Sequence, residues 1–526
     1  MTETPDTAIQ PGLTSPRPAH TPEGPRVRIG GVLRGAHITL FGSGLGGILA
    51  IVNEIICARY LGVGTYGLYA FALIVARIAE GISTLGMPVG ALHFLAIHRD
   101  QNQPQLVWGT VIAAVLPPLV IGCVFSAALW AVAPRLASAF FGGVEATPYI
   151  QAMALAIPFM GLSEVLGVVT RGFGHSAYYV IVRSLVPPTV FLVGLMFIVN
   201  LHAEPTWIPG AFCLAYVLAT CAGVLAVRRV GGAALFRLRP ILPFKALYGY
   251  SLPVLMNQLL YFVVACTPIL LLGAMRSDKD VGIFRACMQL VIPFDMVVIA
   301  FNAAAGNHYA VLEHNQKRAD LAVLVARITG FMAPLAMAWL LVLVLNRHEL
   351  LLLMGRDFVS GALTLVVLAV GHATLCTVGT AGYLLVMSGR QRYETFNAAM
   401  GAVVCVLLNV VLIRWFSSLG AAMATAITCL LVSALRILQV RRLTGIQILQ
   451  PSLLRVLAIA LAAAGGVAAV SSLLSDTARA GSWGIAGLNV LLAVVAGAMY
   501  WCVALDESSR TSFKSRAKRW LIGAAN

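Results

Sequence analysis

The chain has 526 residues, 60% of them hydrophobic and only 11% charged, with a formal net charge of +16 and a mean hydropathy of +0.89. That balance excludes an ordinary soluble domain. A nucleic-acid partner is excluded too, because binding would need a folded basic face with aromatic platforms, and no stretch is polar enough to build one.

The first 30 residues hold six prolines, few apolar residues and no hydrophobic block beside a cleavage-like site. Residues 1–32 therefore read as a disordered cytoplasmic tail rather than a signal peptide. From Ala36 almost to the C-terminus, apolar runs of about 20 residues follow one another, each able to cross a hydrocarbon core of about 30 Å as a helix. The pattern predicts about 14 such spans, at 36–58, 66–88, 107–133, 149–170, 177–200, 207–227, 248–274, 281–306, 320–345, 360–388, 395–414, 418–439, 453–474 and 483–505. The expected fold class is an all-α polytopic membrane protein.

With the N-terminus in the cytoplasm, about 22 of the 36 Lys and Arg fall inside, about 8 outside and about 6 within spans, as the positive-inside rule requires. The inner side holds Arg228, Arg229, Arg237, Arg239 and Lys245, the pair Arg441 and Arg442, and the tail Arg510, Lys514, Arg516, Lys518 and Arg519. The net charge is thus mostly a topology signal, with both termini cytoplasmic. All ten cysteines lie in or at the ends of apolar spans, none two residues apart, and read as small buried hydrophobes rather than metal ligands or disulfides. No metal and no cofactor is expected.

The sequence repeats itself at an offset of 215 residues. Tyr66-Gly-Leu-Tyr-Ala70 running on to Glu80 matches Val281-Gly-Ile-Phe-Arg285 running on to Asp295 without a gap, and Gly174 and Tyr178 match Gly389 and Tyr393. At slightly shorter offsets Gly210-Ala corresponds to Gly420-Ala, and Arg228-Arg229 to Arg441-Arg442. Each repeat contains an even number of spans, so the two six-helix lobes have the same orientation and are related by a pseudo-two-fold axis along the membrane normal. The expected domains are residues 33–230 and 248–442 for the lobes, a basic cytoplasmic linker at 231–247, two further helices within 443–506, and a basic cytoplasmic tail at 507–526. Paired lobes of this kind are typical of carriers that open a central cavity to alternate sides.

Gly42-Ser-Gly-Leu-Gly-Gly47 spells a dinucleotide fingerprint, but it lies inside an apolar helix with no strand before it and no acid about 20 residues on. Gly42 and Gly46 instead form the small-residue spacing that lets membrane helices approach closely. Pro117-Pro118 and Pro187-Pro188 must interrupt the backbone ladder of spans 3 and 5.

An ionisable residue deep in a span is costly and is a functional candidate by default. Glu54 and Arg59 lie in span 1, Arg77 and Glu80 in span 2, Glu164 in span 4, and Arg285, Gln289, Asp295 and Asn302 in span 8. Structural readings compete: Arg77 and Glu80 share a face and can neutralise each other, Arg183 and Arg327 can snorkel, and Glu164 can link to Arg171. Asn257, Gln258 and Asn302 can serve as interhelical hydrogen-bond glue. Symmetry favours function, since Glu80 and Asp295 occupy equivalent points where each would face the pseudo-axis, and Arg77 and Arg285 add positive charge on the same two helices. A cavity carrying arginines suits an anionic cargo such as a diphosphate, because guanidinium stays charged and makes forked bonds to phosphate oxygens. Glu80, Asp295 and Glu54 would then balance the arginines or take up a proton or cation.

Leu33-Arg-Gly, Ala58-Arg-Tyr-Leu-Gly-Val-Gly-Thr-Tyr-Gly-Leu-Tyr69, Leu85-Gly-Met and Val281-Gly-Ile-Phe-Arg-Ala286 resemble the polysaccharide biosynthesis (O-antigen and exopolysaccharide) flippases of the multidrug/oligosaccharidyl-lipid/polysaccharide exporter superfamily. The resemblance covers most of residues 33–440. It implies a bacterial inner-membrane protein that moves an undecaprenyl-diphosphate-linked oligosaccharide from the cytoplasmic to the periplasmic leaflet. Membrane lipids and the polysaccharide polymerase and chain-length proteins would be its partners. Related lipid II flippases carry cavity arginines on helices 1, 2 and 8, which points to Arg59, Arg77 and Arg285 as diphosphate ligands; Arg59 departs from the pattern by sitting at the outer end of its helix.

Two other classes compete with this non-enzymatic reading. A cation-coupled multidrug antiporter of the same superfamily would share the lobes and acids, but several cavity arginines oppose its usual cationic cargo. A membrane polymerase, ligase or glycosyltransferase could use Asp278-Lys-Asp280 as a metal-holding D-x-D, yet that motif is expected in an outer loop of about six residues where sugar nucleotides are absent. No outer loop is long enough for a periplasmic catalytic domain, and no catalytic triad or phosphate loop is evident.

Overall fold

The computed structural model describes residues 29–235 and 237–448. The tail up to residue 28, the two spans expected at 453–474 and 483–505, and the C-terminal tail lie outside the described residues. Within them the chain is helical, without a strand.

The first helix, α1 (Ile29–Ser83), has 55 residues and would be about 80 Å long if straight, far more than a bilayer core. Gly62 breaks it with φ 71° and ψ 168°, a conformation open to glycine. The chain turns back there, since the Tyr66 hydroxyl donates to Glu54, twelve residues earlier, at 2.6 Å. Helix α2 (Met87–Asp100) continues the second limb after a left-handed turn at Leu85 and Gly86. There follow α3 (Pro104–Phe141), α4 (Thr147–Gly172), α5 (Ser176–Val180), a π-turn at Ile181–Leu185, α6 (Val186–Asn200) and α7 (Trp207–Leu235). The second half comprises α8 (Phe244–Met275), α9 (Asp278–His314), α10 (Arg318–Leu345), the short α11 (Arg347–Leu352), α12 (Ala362–Met387) and α13 (Gln391–Thr444). Helix α13 is also two limbs, broken at Ser417 (φ 52°, ψ −129°). Asn397 and Gln439, 42 residues apart, exchange two hydrogen bonds of 2.7 and 2.8 Å across them.

Among the described residues, ten helical runs are long and apolar enough to cross a membrane, and two of them, those containing Gly62 and Ser417, fold back on themselves. The described residues therefore make twelve passes, matching the first twelve predicted spans in order. The Pro117-Pro118 pair sits within an uninterrupted α3, whereas Pro187-Pro188 follows the π-turn. There Pro188, lacking an N–H, frees the Ser184 carbonyl, and Gly46 packs its backbone directly against that oxygen. Gly42 packs equally tightly on Val180. The glycine stretch thus serves helix contact, as its spacing predicts.

Helices before residue 236 pack mainly among themselves, as do those after it, and two seams join the halves. Along one, α1 lies on α9; along the other, α1, α2 and α3 lie on α8, where Gly86 and Gly90 meet Ser251 and the His93 ring stacks on Tyr250 at 4.5 Å. In the first seam a Cβ on Gly67 would collide with the Asp278 carbonyl, and one on Gly282 with the Val63 carbonyl. Those Cβ positions lie 3.0 Å from the Gly282 nitrogen and 3.3 Å from the Gly67 nitrogen, respectively. Gly67 and Gly282 are equated by the internal repeat, and such reciprocal contact between equivalents is what a two-fold relation produces.

Candidate functional site

Six side chains are candidates from the sequence, and the structure distributes them over four places. Arg285, on α9, reaches across the α1 seam, and its Nη2 lies 2.5 Å from Oε1 of Glu54. The other Glu54 oxygen accepts the Tyr66 hydroxyl, and Tyr66 packs edge-on against Phe358 at 5.7 Å. Both charged side chains are largely buried, so this pair closes the seam at the end of the bundle that carries Gly62. Glu54 is fully engaged in balancing Arg285.

Arg77 lies on the second limb of α1 and points into the first half. Its Nη2 donates to the Tyr216 hydroxyl of α7 at 2.8 Å, and its guanidinium carbon sits 5.6 Å from the centre of that ring. The expected Arg77–Glu80 pairing is loose, at 3.9 Å, and 40% of the Arg77 side chain remains accessible. Glu80 is buried beside Gly161 and Thr84. It lies within electrostatic reach of Glu164 and Arg183.

Asp295 occupies the equivalent place on α9, but its environment differs. Its side chain is half accessible and lies 3.6 Å from Nδ1 of His372 on α12. Neither ring nitrogen of His372 has a hydrogen-bond partner among the described residues. Glu80 and Asp295 each take partners from their own half of the molecule and not from each other. Arg59 is exposed at the end of the first limb of α1, with no ion pair or hydrogen bond of its side chain among the described residues, and does not join the other arginines.

Several structural expectations need correction. Arg183 has partners that its sequence position does not announce: its Nε bonds the Glu164 carboxylate and its Nη1 donates to the Tyr179 hydroxyl at 3.0 Å. Glu164 accordingly pairs with Arg183 and not with Arg171, which lies over the Tyr179 ring at 5.5 Å. The Asp278-Lys-Asp280 motif forms the first turn of α9 instead of a loop, and Asp280 bonds the Ser277 hydroxyl at 2.8 Å. No group of three metal-ligating side chains occurs among the described residues. Asn302 does serve as glue, donating to the Gly379 carbonyl at 3.4 Å.

Sequence reasoning misses Tyr216, His372 and a buried Glu394–Arg436 pair joined by the Tyr261 hydroxyl at 2.9 Å. The polar residues at 394 and 436 stand near the ends of predicted spans, which is the only signal the sequence offers for them. Of the candidates that lie deep in spans, Arg77 offers an accessible guanidinium in the first half and Asp295 an accessible carboxylate in the second.

The sequence pattern of the family described as polysaccharide biosynthesis protein matches residues 32–305. In fold the chain is similar to lipid II flippase MurJ in an inward closed conformation, with a TM-score of 0.68 at 10% identity over 88% of this chain and 97% of that one. It is similar to an inward-facing multidrug resistance MATE family transporter of the MOP superfamily, with a TM-score of 0.66 at 13% identity over 76% of this chain and 94% of that one. A MOP superfamily transporter from Pyrococcus furiosus gives a TM-score of 0.57 at 12% identity, over 78% and 96% of the two chains. No curated protein matches the sequence.

Proposed function

The chain belongs to the polysaccharide biosynthesis protein family, and from that membership we propose that it is a flippase for a polyprenyl-diphosphate-linked oligosaccharide. It carries the headgroup from the cytoplasmic to the periplasmic leaflet by alternating access between residues 33–230 and 248–442. The observation that carries this reading is Arg77, a guanidinium placed well inside a membrane span, oriented by Tyr216 and still accessible. Such a group is expensive to bury and is retained where an anion needs it. Arg285 acts differently: held by Glu54, it latches the seam at the Gly62 end, and its guanidinium becomes free for the diphosphate only when that seam opens. The likeness to lipid II flippase MurJ supports the cargo class. Positive-inside counting supports cytoplasmic termini.

The test is reconstitution in liposomes carrying a fluorescent polyprenyl-diphosphate oligosaccharide in both leaflets, with a membrane-impermeant quencher outside. Wild-type protein should make nearly all the probe accessible, and Arg77→Gln should leave about half protected. Protein that moves cationic dyes but not the lipid would refute the flippase reading and favour an antiporter.

A further inference from the structure

Outside the residues assigned so far, the first half holds a second collection of guanidinium groups. Arg171, in the last turn of α4, and Arg183, in the π-turn, both lie against the ring of Tyr179, their guanidinium carbons 5.5 and 5.8 Å from its centre. Arg99 sits beside them, donating to the Gly172 carbonyl at 3.1 Å. Arg99 is thereby occupied as a cap for α4, whose negative C-terminal end favours cations. Arg171 is not: its side chain is exposed and makes no hydrogen bond or ion pair among the described residues. Arg183 spends its Nε on Glu164 and its Nη1 on Tyr179, and 47% of its side chain stays accessible. Glu164 is the single carboxylate bonded to this cluster, so the group keeps a surplus of positive charge.

The cluster connects inward. Glu164 lies two turns from Arg171 on α4, about 10 Å, and one turn farther a Cβ on Gly161 would stand 4.0 Å from Glu80 Cγ. Arg77 lies within electrostatic reach of Glu164. Charged side chains therefore follow one another from the end of α4 to Arg77, with Tyr179 and Tyr216 each contacting a guanidinium along the way.

Resting on the flippase reading above, we propose that Arg171, Tyr179 and Arg183 form a docking station for a diphosphate at the end of the bundle opposite Gly62, from which the anion passes to Arg77. Arg171 supplies the open cation. The Tyr179 ring gathers the two guanidinium groups, and all of the Arg171 guanidinium together with Nη2 of Arg183 is without a hydrogen-bond partner among the described residues and open to phosphate oxygens. Glu164 keeps Arg183 in position and keeps the station from binding its anion too tightly for release.

The experiment is a binding titration of the full-length protein in detergent with farnesyl diphosphate, farnesyl monophosphate and inorganic pyrophosphate. Arg171 makes no hydrogen bond or ion pair through its side chain among the described residues, so Arg171→Gln tests the station without breaking one, and Arg171→Lys restores the charge without the fork. The expected result is a roughly tenfold loss of farnesyl diphosphate affinity in R171Q, partial recovery in R171K, and weaker binding of the monophosphate throughout. Preference for farnesyl diphosphate over pyrophosphate identifies a lipid headgroup, and the reverse a soluble diphosphate; both support the station when R171Q weakens them. Equal affinity of wild type and R171Q overturns the station while leaving the flippase reading intact. Absence of any diphosphate binding by wild-type protein overturns the flippase reading as well.

Discussion

Glu54 and Arg285 are 231 residues apart, yet their side chains meet at 2.5 Å across the α1–α9 seam. Removing one partner of such a buried pair leaves an uncompensated charge, which typically costs about 3–5 kcal/mol. Arg285→Gln should therefore lower the melting temperature of the purified protein sharply, and adding Glu54→Gln should recover part of the loss by removing the orphaned carboxylate. Tryptophan-fluorescence melts of the wild type, both single variants and the double variant provide the check. A double variant no more stable than R285Q would show that the two residues do not form the seam's ion pair.

The same seam depends on the absence of side chains at Gly67 and Gly282. Gly67→Val would drive a branched side chain into the Asp278 backbone, where no flexible group can yield. The expected outcome is loss of most folded protein, read as the monodisperse fraction in gel filtration. Gly330 is the control, because nothing lies within 4 Å of a Cβ there; Gly330→Ala should be neutral or stabilising by up to about 1 kcal/mol. Equal damage from both changes would exclude backbone contact as the cause.

Much of this fold is legible in the sequence, and the reason is that each pass needs about 20 apolar residues, so helices announce themselves by length. The breaks at Gly62 and Ser417 fall in the gaps between predicted spans for the same reason. Partner choice is another matter. The 215-residue offset equates Glu80 with Asp295, but Arg285 is matched by Ala70 and Arg77 by Ile292, so the repeat says nothing about which acid each arginine meets. That depends on helix rotation, which small residues such as Gly46 and Gly67 set through close approach. Hydrophobic periodicity cannot reveal it, because side chains facing lipid are as apolar as those facing protein. Arg183 choosing Glu164, and Arg285 choosing Glu54, are consequences of that rotation.

Asp295 and His372 make a pair with no counterpart in the first half, where Glu80 is buried against α4. A half-accessible carboxylate beside an imidazole with no hydrogen-bond partner among the described residues can meet a small cation without breaking an existing hydrogen bond. Asp295→Asn should leave diphosphate affinity unchanged and slow translocation in liposomes at least tenfold under an imposed ion gradient. His372→Asn should shift the gradient dependence while binding is retained. Unaltered gradient-driven transport in D295N would remove Asp295 from the coupling step.

Tyr216 holds Arg77 in two ways, by a hydrogen bond from Nη2 to its hydroxyl at 2.8 Å and by its ring face. The two can be separated. Tyr216→Phe deletes the hydroxyl and keeps the ring, so Arg77 remains in place but gains freedom, at a cost on the order of 1 kcal/mol, or about fivefold in affinity for a lipid diphosphate. Tyr216→Leu removes both restraints and should approach the loss seen in Arg77→Gln. Neither change should lower the melting temperature much, because Arg77 keeps its contact with Glu80 at 3.9 Å when Tyr216 is altered. If Y216F and Y216L weaken binding equally, the ring face plays no part; if neither weakens it, Arg77 does not hold the headgroup.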